Sequence, residues 1–213
     1  MRLAGAAARD KSRGFTLIEL MVVIAILTLL MALLMPVMRR AWAAACQVDC
    51  ANNLHQVVVG VKAYAAAHEG EGPRVWSEWL GDRRDIATGT LYPYVGDRRV
   101  FRCPIKTDER ESPHCGLKPP ITSYFFNGQL EDDPPVLERT YKPGMFLMFE
   151  EKPIDTATGP ASPCNDGADV PNFLDQISDI HFGGGNIAFP DGHVRWMSFE
   201  EYTEKYFELY SCE

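Results

Sequence analysis

Hydrophobic positions follow two different patterns in the first 70 residues. From Leu20 to Met38 the chain reads LMVVIAILTLLMALLMPVM, nineteen residues without a charge. A helix of that length spans about 28 Å, close to the hydrocarbon thickness of a bilayer. Arg39 and Arg40 end the run. The pattern predicts a membrane-spanning helix over about residues 20–38.

Beyond Arg40 the apolar positions become periodic, with one every three or four residues. The stripe consists of Trp42, Cys46, Cys50, Leu54, Val57 or Val58, Val61 and Tyr64. Such a stripe is typical of an amphipathic helix, and the Gly70–Pro73 segment ends it. We therefore expect one long helix within residues 15–70, whose second half packs on a globular body. Cys46 and Cys50 are expected to be small buried hydrophobes that do not bond to each other.

Residues 71–213 contain short apolar runs between turn residues. The runs are Thr90–Val95, Ser123–Asn127, Met145–Phe149, Asn186–Phe189 and His193–Met197. They predict a small antiparallel sheet with long loops, and Pro190-Asp191-Gly192 predicts a hairpin turn between the last two runs. A short helix is expected over Phe199–Tyr210, begun by Ser198 with Glu201 in a capping box. The fold class is thus α+β, a long N-terminal helix packed on a small antiparallel sheet domain.

Charge is distributed unevenly along the chain. The first 14 residues carry four basic residues and one acidic residue, a net charge of +3, which leaves −11 on the rest of a chain whose total is −8. A basic segment before an apolar run keeps that end on the cytoplasmic side. The acidic remainder argues against a nucleic-acid partner, because phosphate contacts need Lys and Arg. The sequence holds no GxSxG, HExxH or phosphate-loop motif, so we expect no enzyme.

The segment before the apolar run, KSRGFTLIE at residues 11–19, resembles the processing site of type IV prepilins and type II secretion pseudopilins. The resemblance covers about residues 11–45. It implies that residues 1–14 are a leader and that a prepilin peptidase cuts between Gly14 and Phe15 and methylates the new Phe15 amine. It also implies that Glu19, fifth in the mature chain, serves assembly, and that Pro36 allows a kink.

Electrostatics agrees with this interpretation. A carboxylate at the edge of an apolar helix costs about 2.5–3.5 kcal/mol in a bilayer, so Glu19 needs a partner. Cleavage creates a cationic amine at Phe15, one helical turn away, and the resemblance implies that a neighbouring subunit's amine is the partner in a filament. A secretory signal peptide, cut near Ala41–Ala45, and a plain signal anchor are the alternatives.

A second resemblance lies near the C-terminus. His181, nine further residues and Asp191-Gly192 are similar to a His-x9-Asp-Gly segment at the end of a large group of prepilin-type proteins. The strings FRCP at 101–104 and SYFFN at 123–127 are similar to that group as well. We expect Asp191 to close the turn and His181 to bond a backbone group near the hairpin, although His181, Asp191 and His193 also permit a metal hypothesis.

Calcium is a second metal hypothesis, because major pseudopilins carry a calcium site in a C-terminal loop. Calcium prefers oxygen ligands. The candidate ligands are the carboxylates of Asp166, Asp169, Asp175 and Asp179. We expect this stretch to be a solvated loop, and no cofactor is assigned.

Four cysteines remain in the body: Cys103, Cys115, Cys164 and Cys212. They allow three pairings. Cys103 with Cys115 is favoured, since the short loop it closes is worth about 3 kcal/mol. Cys164 would then pair with Cys212, as C-terminal disulfides do in many pilins. His114 beside Cys115 leaves a zinc alternative.

The functional hypothesis is a structural subunit, a pseudopilin or minor pilin of a type II secretion or type IV pilus-like filament. It would be a single-pass inner-membrane protein whose body is exported to the periplasm or cell surface. Its partners would be a prepilin peptidase, other pilin or pseudopilin subunits and the assembly machinery. One alternative is a filament-mounted module that binds an exported protein, glycan or surface through exposed aromatics at Trp76, Trp79 and Tyr92. Another is a membrane-anchored protein with a metal-dependent body.

Overall fold

The structure is a computed structural model. It describes residues 15–74, 79–80, 85–105, 122–127, 145–150, 168–169 and 177–210, the last six of these and 168–169 by their backbone. The chain divides into two compact units, Met1–Trp42 and Ala43–Glu213.

Helix α1 spans Leu17–Ala67. It begins with a capping box, in which Glu19 Oε2 accepts hydrogen bonds from the Thr16 amide at 2.8 Å and the Thr16 hydroxyl at 2.6 Å. The Thr16 hydroxyl accepts in turn from the Glu19 amide at 3.3 Å. At the other end Gly70 has φ 90°, and its amide donates to Ala65 O at 2.8 Å. The predicted long helix is confirmed.

In the first unit the side chains of α1 are exposed from Leu17 to Trp42. Trp42, predicted on the buried stripe, is 72% exposed, so that part of the prediction is wrong. A single helix offers no second layer that could bury its side chains. From Cys46 to Val61 the stripe is buried as predicted, whereas Tyr64 is half-buried. The buried residues of α1 are Cys46, Cys50, Leu54, Val57, Val58, Gly60, Val61 and Ala65.

The body contains a five-stranded sheet of order β3-β1-β2-β4-β5. The strands are β1 Tyr124–Asn127, β2 Met148–Glu150, β3 Ala168–Asp169, β4 Gly184–Ala188 and β5 Val194–Ser198. The pairs β1-β2, β2-β4 and β4-β5 are antiparallel, whereas the two-residue β3 runs parallel to β1. The predicted α+β class, with a long helix and a small antiparallel sheet, is confirmed.

Both faces of the central strands are buried. One face, with Tyr124 and Phe126 of β1, packs in a cluster with Leu54 and Val58 of α1. The other face, with Phe125 of β1, packs in a second cluster that reaches Tyr202. Tyr202 belongs to helix α3, Phe199–Tyr210. The sheet therefore lies between two helices, and its apolar runs do not alternate with polar residues.

Of two local predictions, the strand over Thr90–Val95 is wrong and the helix over Phe199–Tyr210 is confirmed. The Thr90–Val95 run, predicted as a strand, instead contains helix α2, Tyr92–Val95, with Pro93 in its first turn and Gly96 at φ 79° after it. A proline at the start and a left-handed glycine at the end favour a helical turn. The α3 prediction holds, and the Glu201 amide donates to Ser198 Oγ at 3.1 Å. The Glu201 carboxylate accepts from Arg195 rather than completing the capping box.

Candidate functional site

The register of the sheet places three buried polar side chains in one row beneath α1. Tyr124 on β1 pairs with Glu150 at the end of β2. Met148 pairs with Ala188 of β4, and the same register continued by two residues brings Glu150 beside Asn186. All three side chains are buried. A polar row inside an apolar sheet is expensive unless its groups bond to each other, so these contacts identify the candidate site.

Glu150 lies at the centre of the row and is 0% exposed. Its Oε1 lies 3.2 Å from His181 Nε2, and its Oε2 accepts from Asn186 Nδ2 at 3.3 Å. Its backbone oxygen accepts from the Ser178 amide at 2.7 Å. A buried carboxylate costs several kcal/mol unless charged or polar partners offset it, so this cluster is held by specific contacts.

A tight turn before β4 positions His181. Phe182 and Gly183 have φ of 56° and 79°, and the His181 amide donates to Gly184 O at 3.2 Å. Trp196 Nε1 donates to His181 O at 2.7 Å. The ring is thereby aimed inward, with Nε2 toward Glu150. Nδ1 is buried and has no hydrogen-bond partner among the described residues.

A disulfide joins Cys50 on α1 to Cys103, with the two Cα atoms 5.1 Å apart. Cys103 Sγ lies 3.4 Å from His181 Nε2, and the Cys103 amide donates to Ser123 Oγ at 3.0 Å. The Cys50 carbonyl accepts from the Tyr124 hydroxyl at 3.2 Å. The disulfide therefore borders the same polar row.

This disulfide corrects the predicted pairing of Cys103 with Cys115. Cys50 was expected to be an unbonded buried residue, but it faces the body from the stripe of α1, where Cys103 reaches it. Among the described cysteines Cys46 is free, and it is buried. The remaining cysteines, Cys115, Cys164 and Cys212, lie outside the described residues.

Tyr124 keeps its proton in this environment. Burial raises the pKa of its phenol well above the ordinary value of 10.0, and the charge of Glu150 adds to the rise. The hydroxyl is therefore a neutral donor to Cys50 O at physiological pH.

Four potential metal ligands meet at this cluster. One ligand atom each from Cys50, Cys103, Glu150 and His181 lies within 4.8 Å of the others. Two sulfurs, an imidazole and a carboxylate are a donor set suited to zinc and poorly suited to calcium. In the disulfide form the two sulfurs are bonded to each other and are not thiolate ligands.

The calcium hypothesis stays a prediction. Asp166 and Asp175 lie outside the described residues, Asp169 is described only by its backbone, and Asp179 is exposed. His114, on which the predicted zinc alternative depended, also lies outside them.

The hairpin turn is confirmed. Asp191 Oδ1 accepts from the His193 amide at 3.0 Å, and Gly192 has φ 102°. Asp191 therefore closes the turn as predicted. Two side chains of α1 contact the backbone carbonyls of this turn. Lys62 Nζ donates to Asp191 O at 3.1 Å, and His55 Nδ1 lies 2.7 Å from Gly192 O.

The backbone contact predicted for His181 is made by its amide, which donates to Gly184 O, whereas its ring contacts Cys103 and Glu150 among the described residues. Glu150 and the bonding of Cys50 were not predicted from the sequence. One signal for Glu150 was present, since it extends the apolar Met145–Phe149 run and falls two residues after buried Met148, on the same face.

The predicted processing site lies at the boundary of the described residues. Gly14 is outside them, and Phe15 is 75% exposed. In the described part of the chain one helix, α1, is by its length and composition long and apolar enough to cross a membrane, and its apolar 18-residue stretch has no buried residue.

Residues 9–35 match the family model of the prokaryotic N-terminal methylation motif. The match includes Gly14, Phe15 and Glu19, and it confirms the resemblance to type IV prepilins and pseudopilins. It favours membrane anchoring and a structural role. The His-x9-Asp-Gly resemblance lies outside the match and stays a prediction. The chain matches no curated protein and no solved structure.

Proposed function

We propose that this chain is a structural subunit, a pseudopilin or minor pilin, of a type II secretion or type IV pilus-like filament. A prepilin peptidase cuts between Gly14 and Phe15 and methylates Phe15. The observation that carries the proposal is the methylation motif at residues 9–35, which overlaps the start of α1, together with an 18-residue apolar stretch of that helix that has no buried residue. The chain itself catalyses no reaction in this proposal.

The apolar segment of about residues 20–38 anchors the subunit in the inner membrane before assembly. In the described part of the unit Met1–Trp42 its leucines, valines and methionines are exposed, so lipid or other helices must cover them. Extraction by the assembly machinery then replaces lipid contacts with contacts to neighbouring subunits. Pro36 breaks one backbone hydrogen bond of this segment and permits a local kink.

Export of the body is supported by the Cys50–Cys103 disulfide. Disulfides persist in the periplasm and at the cell surface, whereas the cytosol keeps thiols reduced. The positive charge of residues 1–14 keeps the leader in the cytoplasm. If the body, residues 43–213, stayed there as well, it would not form this disulfide stably.

Glu19 provides the assembly contact. Its carboxylate bonds to Thr16, which places it at the helix start, near the position that the Phe15 amine takes after cleavage. In the filament the amine of a neighbouring subunit neutralises this carboxylate.

The binding-module alternative predicted an exposed aromatic patch, and one of its three residues does not fit. Trp79 is fully buried, with its ring centroid 5.1 Å from that of Phe126 and 6.3 Å from that of Phe101. Tyr92 is half-buried, and Trp76 lies outside the described residues. No second function is proposed, because no other observation on the described residues favours one.

Two substitutions at Glu19 separate its two roles. Glu19→Gln keeps an acceptor for the Thr16 amide, because glutamine also serves in capping boxes, but it removes the charge. We expect membrane insertion to stay normal in Glu19→Gln and Glu19→Ala and incorporation into filaments, measured by shearing and immunoblotting, to fall at least tenfold in both.

Glu71→Ala is the matched control, since Glu71 is an exposed carboxylate beyond the end of α1. It should assemble normally. If Glu19→Gln assembles as well as the unmodified chain, capping alone explains Glu19 and the charge-pairing step is wrong.

A further inference from the structure

We propose that Cys50, Cys103, Glu150 and His181 form a Zn²⁺-binding site when the Cys50–Cys103 disulfide is reduced. The cluster then has two mutually exclusive forms, a disulfide form and a metal form. This proposal concerns the body and does not depend on the filament function proposed above.

The spacing of the ligand atoms suits a tetrahedral zinc ion. Zinc bonds of about 2.3 Å to sulfur and 2.0–2.1 Å to nitrogen or oxygen put neighbouring ligand atoms about 3.3–3.8 Å apart. Cys103 Sγ and His181 Nε2 are 3.4 Å apart, and His181 Nε2 and Glu150 Oε1 are 3.2 Å apart. The two sulfurs have to separate once their bond is broken, and all four ligand atoms lie within 4.8 Å of one another.

Charge favours a cation at this position. Glu150 Oε1 lies 3.2 Å from His181 Nε2 in the buried cluster, and a divalent cation bound by these two atoms would offset the charge of the carboxylate. In the metal form His181 stays neutral. Two thiolates and one carboxylate against a divalent ion leave a net charge of −1, the same as the carboxylate alone in the disulfide form.

The four ligands come from separate parts of the body, and local contacts hold each one. Cys50 belongs to α1, and the Cys103 amide bonds to Ser123 Oγ. Glu150 ends β2, and Trp196 holds the backbone of His181. Ligands positioned in advance lose little freedom when a metal binds.

A groove borders the cluster at Cys103. Its volume is about 720 Å³, and it lies between α1 and the segment 97–104. Its lining includes Asp49, Asn52, Gln56, Arg102, Cys103 and Pro104. Cys103 is only 2% exposed, so a small reductant and a cation reach its sulfur from this side when the wall opens locally. The exposed carboxylate of Asp49 attracts the cation.

The conversion balances with a dithiol as reductant. The dithiol gives two electrons and two protons to the Cys50–Cys103 bond and becomes a disulfide, leaving two cysteine thiols. Zn²⁺ then binds both sulfurs, and the two thiol protons pass to water. A disulfide oxidant reverses the change, since it takes up the two electrons, reforms the Cys50–Cys103 bond and releases the ion.

The test uses the full chain in detergent and Co²⁺ as the spectroscopic probe for zinc. One sample is reduced with a phosphine, which does not compete for the metal as a dithiol would, and the other keeps its disulfide. We expect one Co²⁺ per reduced chain, with thiolate-to-cobalt charge-transfer and tetrahedral d–d absorption that Zn²⁺ abolishes. The disulfide form should bind none at this site.

Variants assign the signal to the cluster. Cys50→Ala/Cys103→Ala should lose it, and Glu150→Gln and His181→Gln should weaken Co²⁺ binding by about tenfold or more. Cys46→Ala is the matched control, because Cys46 lies one turn from Cys50 and is a free thiol; it should keep the signal. Equal Co²⁺ absorption in the double cysteine variant and the reduced unmodified chain would overturn the proposal.

Near-ultraviolet circular dichroism covers the case in which reduction loosens the body. If the reduced chain loses its signal, one equivalent of Zn²⁺ should restore it. A reduced chain that stays unfolded with Zn²⁺, or that stays folded and takes up no Co²⁺, also overturns the proposal.

Discussion

The two units of this protein differ in how a glutamate side chain is surrounded. Glu19 lies near the start of an exposed apolar helix, and the hydrogen bonds to its carboxylate come from Thr16, three residues away. Glu150 is fully buried in the body, between His181 and Asn186 from other parts of the chain. The exposed apolar side chains of the first unit therefore need lipid or other subunits to cover them, whereas the body buries its polar and apolar side chains against each other.

One helix, α1, takes part in both environments. Its first part is apolar on all sides and has no single apolar stripe that would pack on a core of the same chain. Its second part is apolar on one stripe, which packs on the sheet and carries Cys50. Substitutions in the body should therefore change its free energy of unfolding, whereas Glu19 substitutions should change assembly and leave that free energy unaltered.

The largest expected effect on the body comes from its disulfide. Cys50→Ala/Cys103→Ala removes a bond between residues 53 apart in sequence, which the chain-entropy relation values at about 4 kcal/mol. Urea unfolding of the full chain in detergent, followed by near-ultraviolet circular dichroism, measures the loss. Cys46→Ala, one turn earlier on the same stripe, should cost only about 1 kcal/mol. Equal losses in the two variants would mean that the disulfide adds nothing beyond burial.

The next effect separates two histidines of the His-x9-Asp-Gly region. His181→Ala leaves the buried Glu150 carboxylate without its imidazole partner, so we expect a loss of about 3 kcal/mol. His193→Ala is the control, because the His193 side chain is exposed beside exposed Asp191. It should leave the urea midpoint within experimental error. If His181→Ala left the free energy of unfolding unchanged, Glu150 would not be a charged group of the core.

The smallest effect concerns Tyr124 and has a defined pH dependence. Tyr124→Phe removes the hydrogen bond to Cys50 O, so we expect a loss of about 1 kcal/mol near neutral pH. Because the folded pKa of the phenol is raised, its contribution is full below the unfolded value of about 10 and is lost as pH rises above it. The unfolding free energy of the unmodified chain should therefore fall more steeply than that of Tyr124→Phe above about pH 10. Parallel curves would contradict the burial argument.

Local patterns in the sequence predicted the parts of the fold that depend on neighbouring residues. The uncharged run, the stripe from Cys46 to Val61 and the Pro-Asp-Gly turn each carry their own signal over a few residues. The error at Thr90–Val95 was also local, because Pro93 and Gly96 could have indicated a helical turn. The capping box of Thr16 and Glu19 was not predicted, although a threonine followed three residues later by a glutamate is its local pattern.

The buried cluster could not be assembled from the sequence in the same way. Cys103 and His181 are 78 residues apart, and Glu150 and His181 are 31 apart. Their meeting depends on sheet register and on the side of α1 that faces the sheet, which are tertiary features. Cys103 and His181 were predicted as candidate residues one by one, but no local pattern indicated that they meet each other or Glu150.

The proposed filament function requires that the mature chain begins at Phe15. The intact mass of the protein after co-expression with a prepilin peptidase measures this start. We expect a mass lower by residues 1–14 and higher by one methyl group, with the methyl group located on the Phe15 amine by fragmentation. An unprocessed mass, or a new N-terminus within residues 41–45, would contradict it.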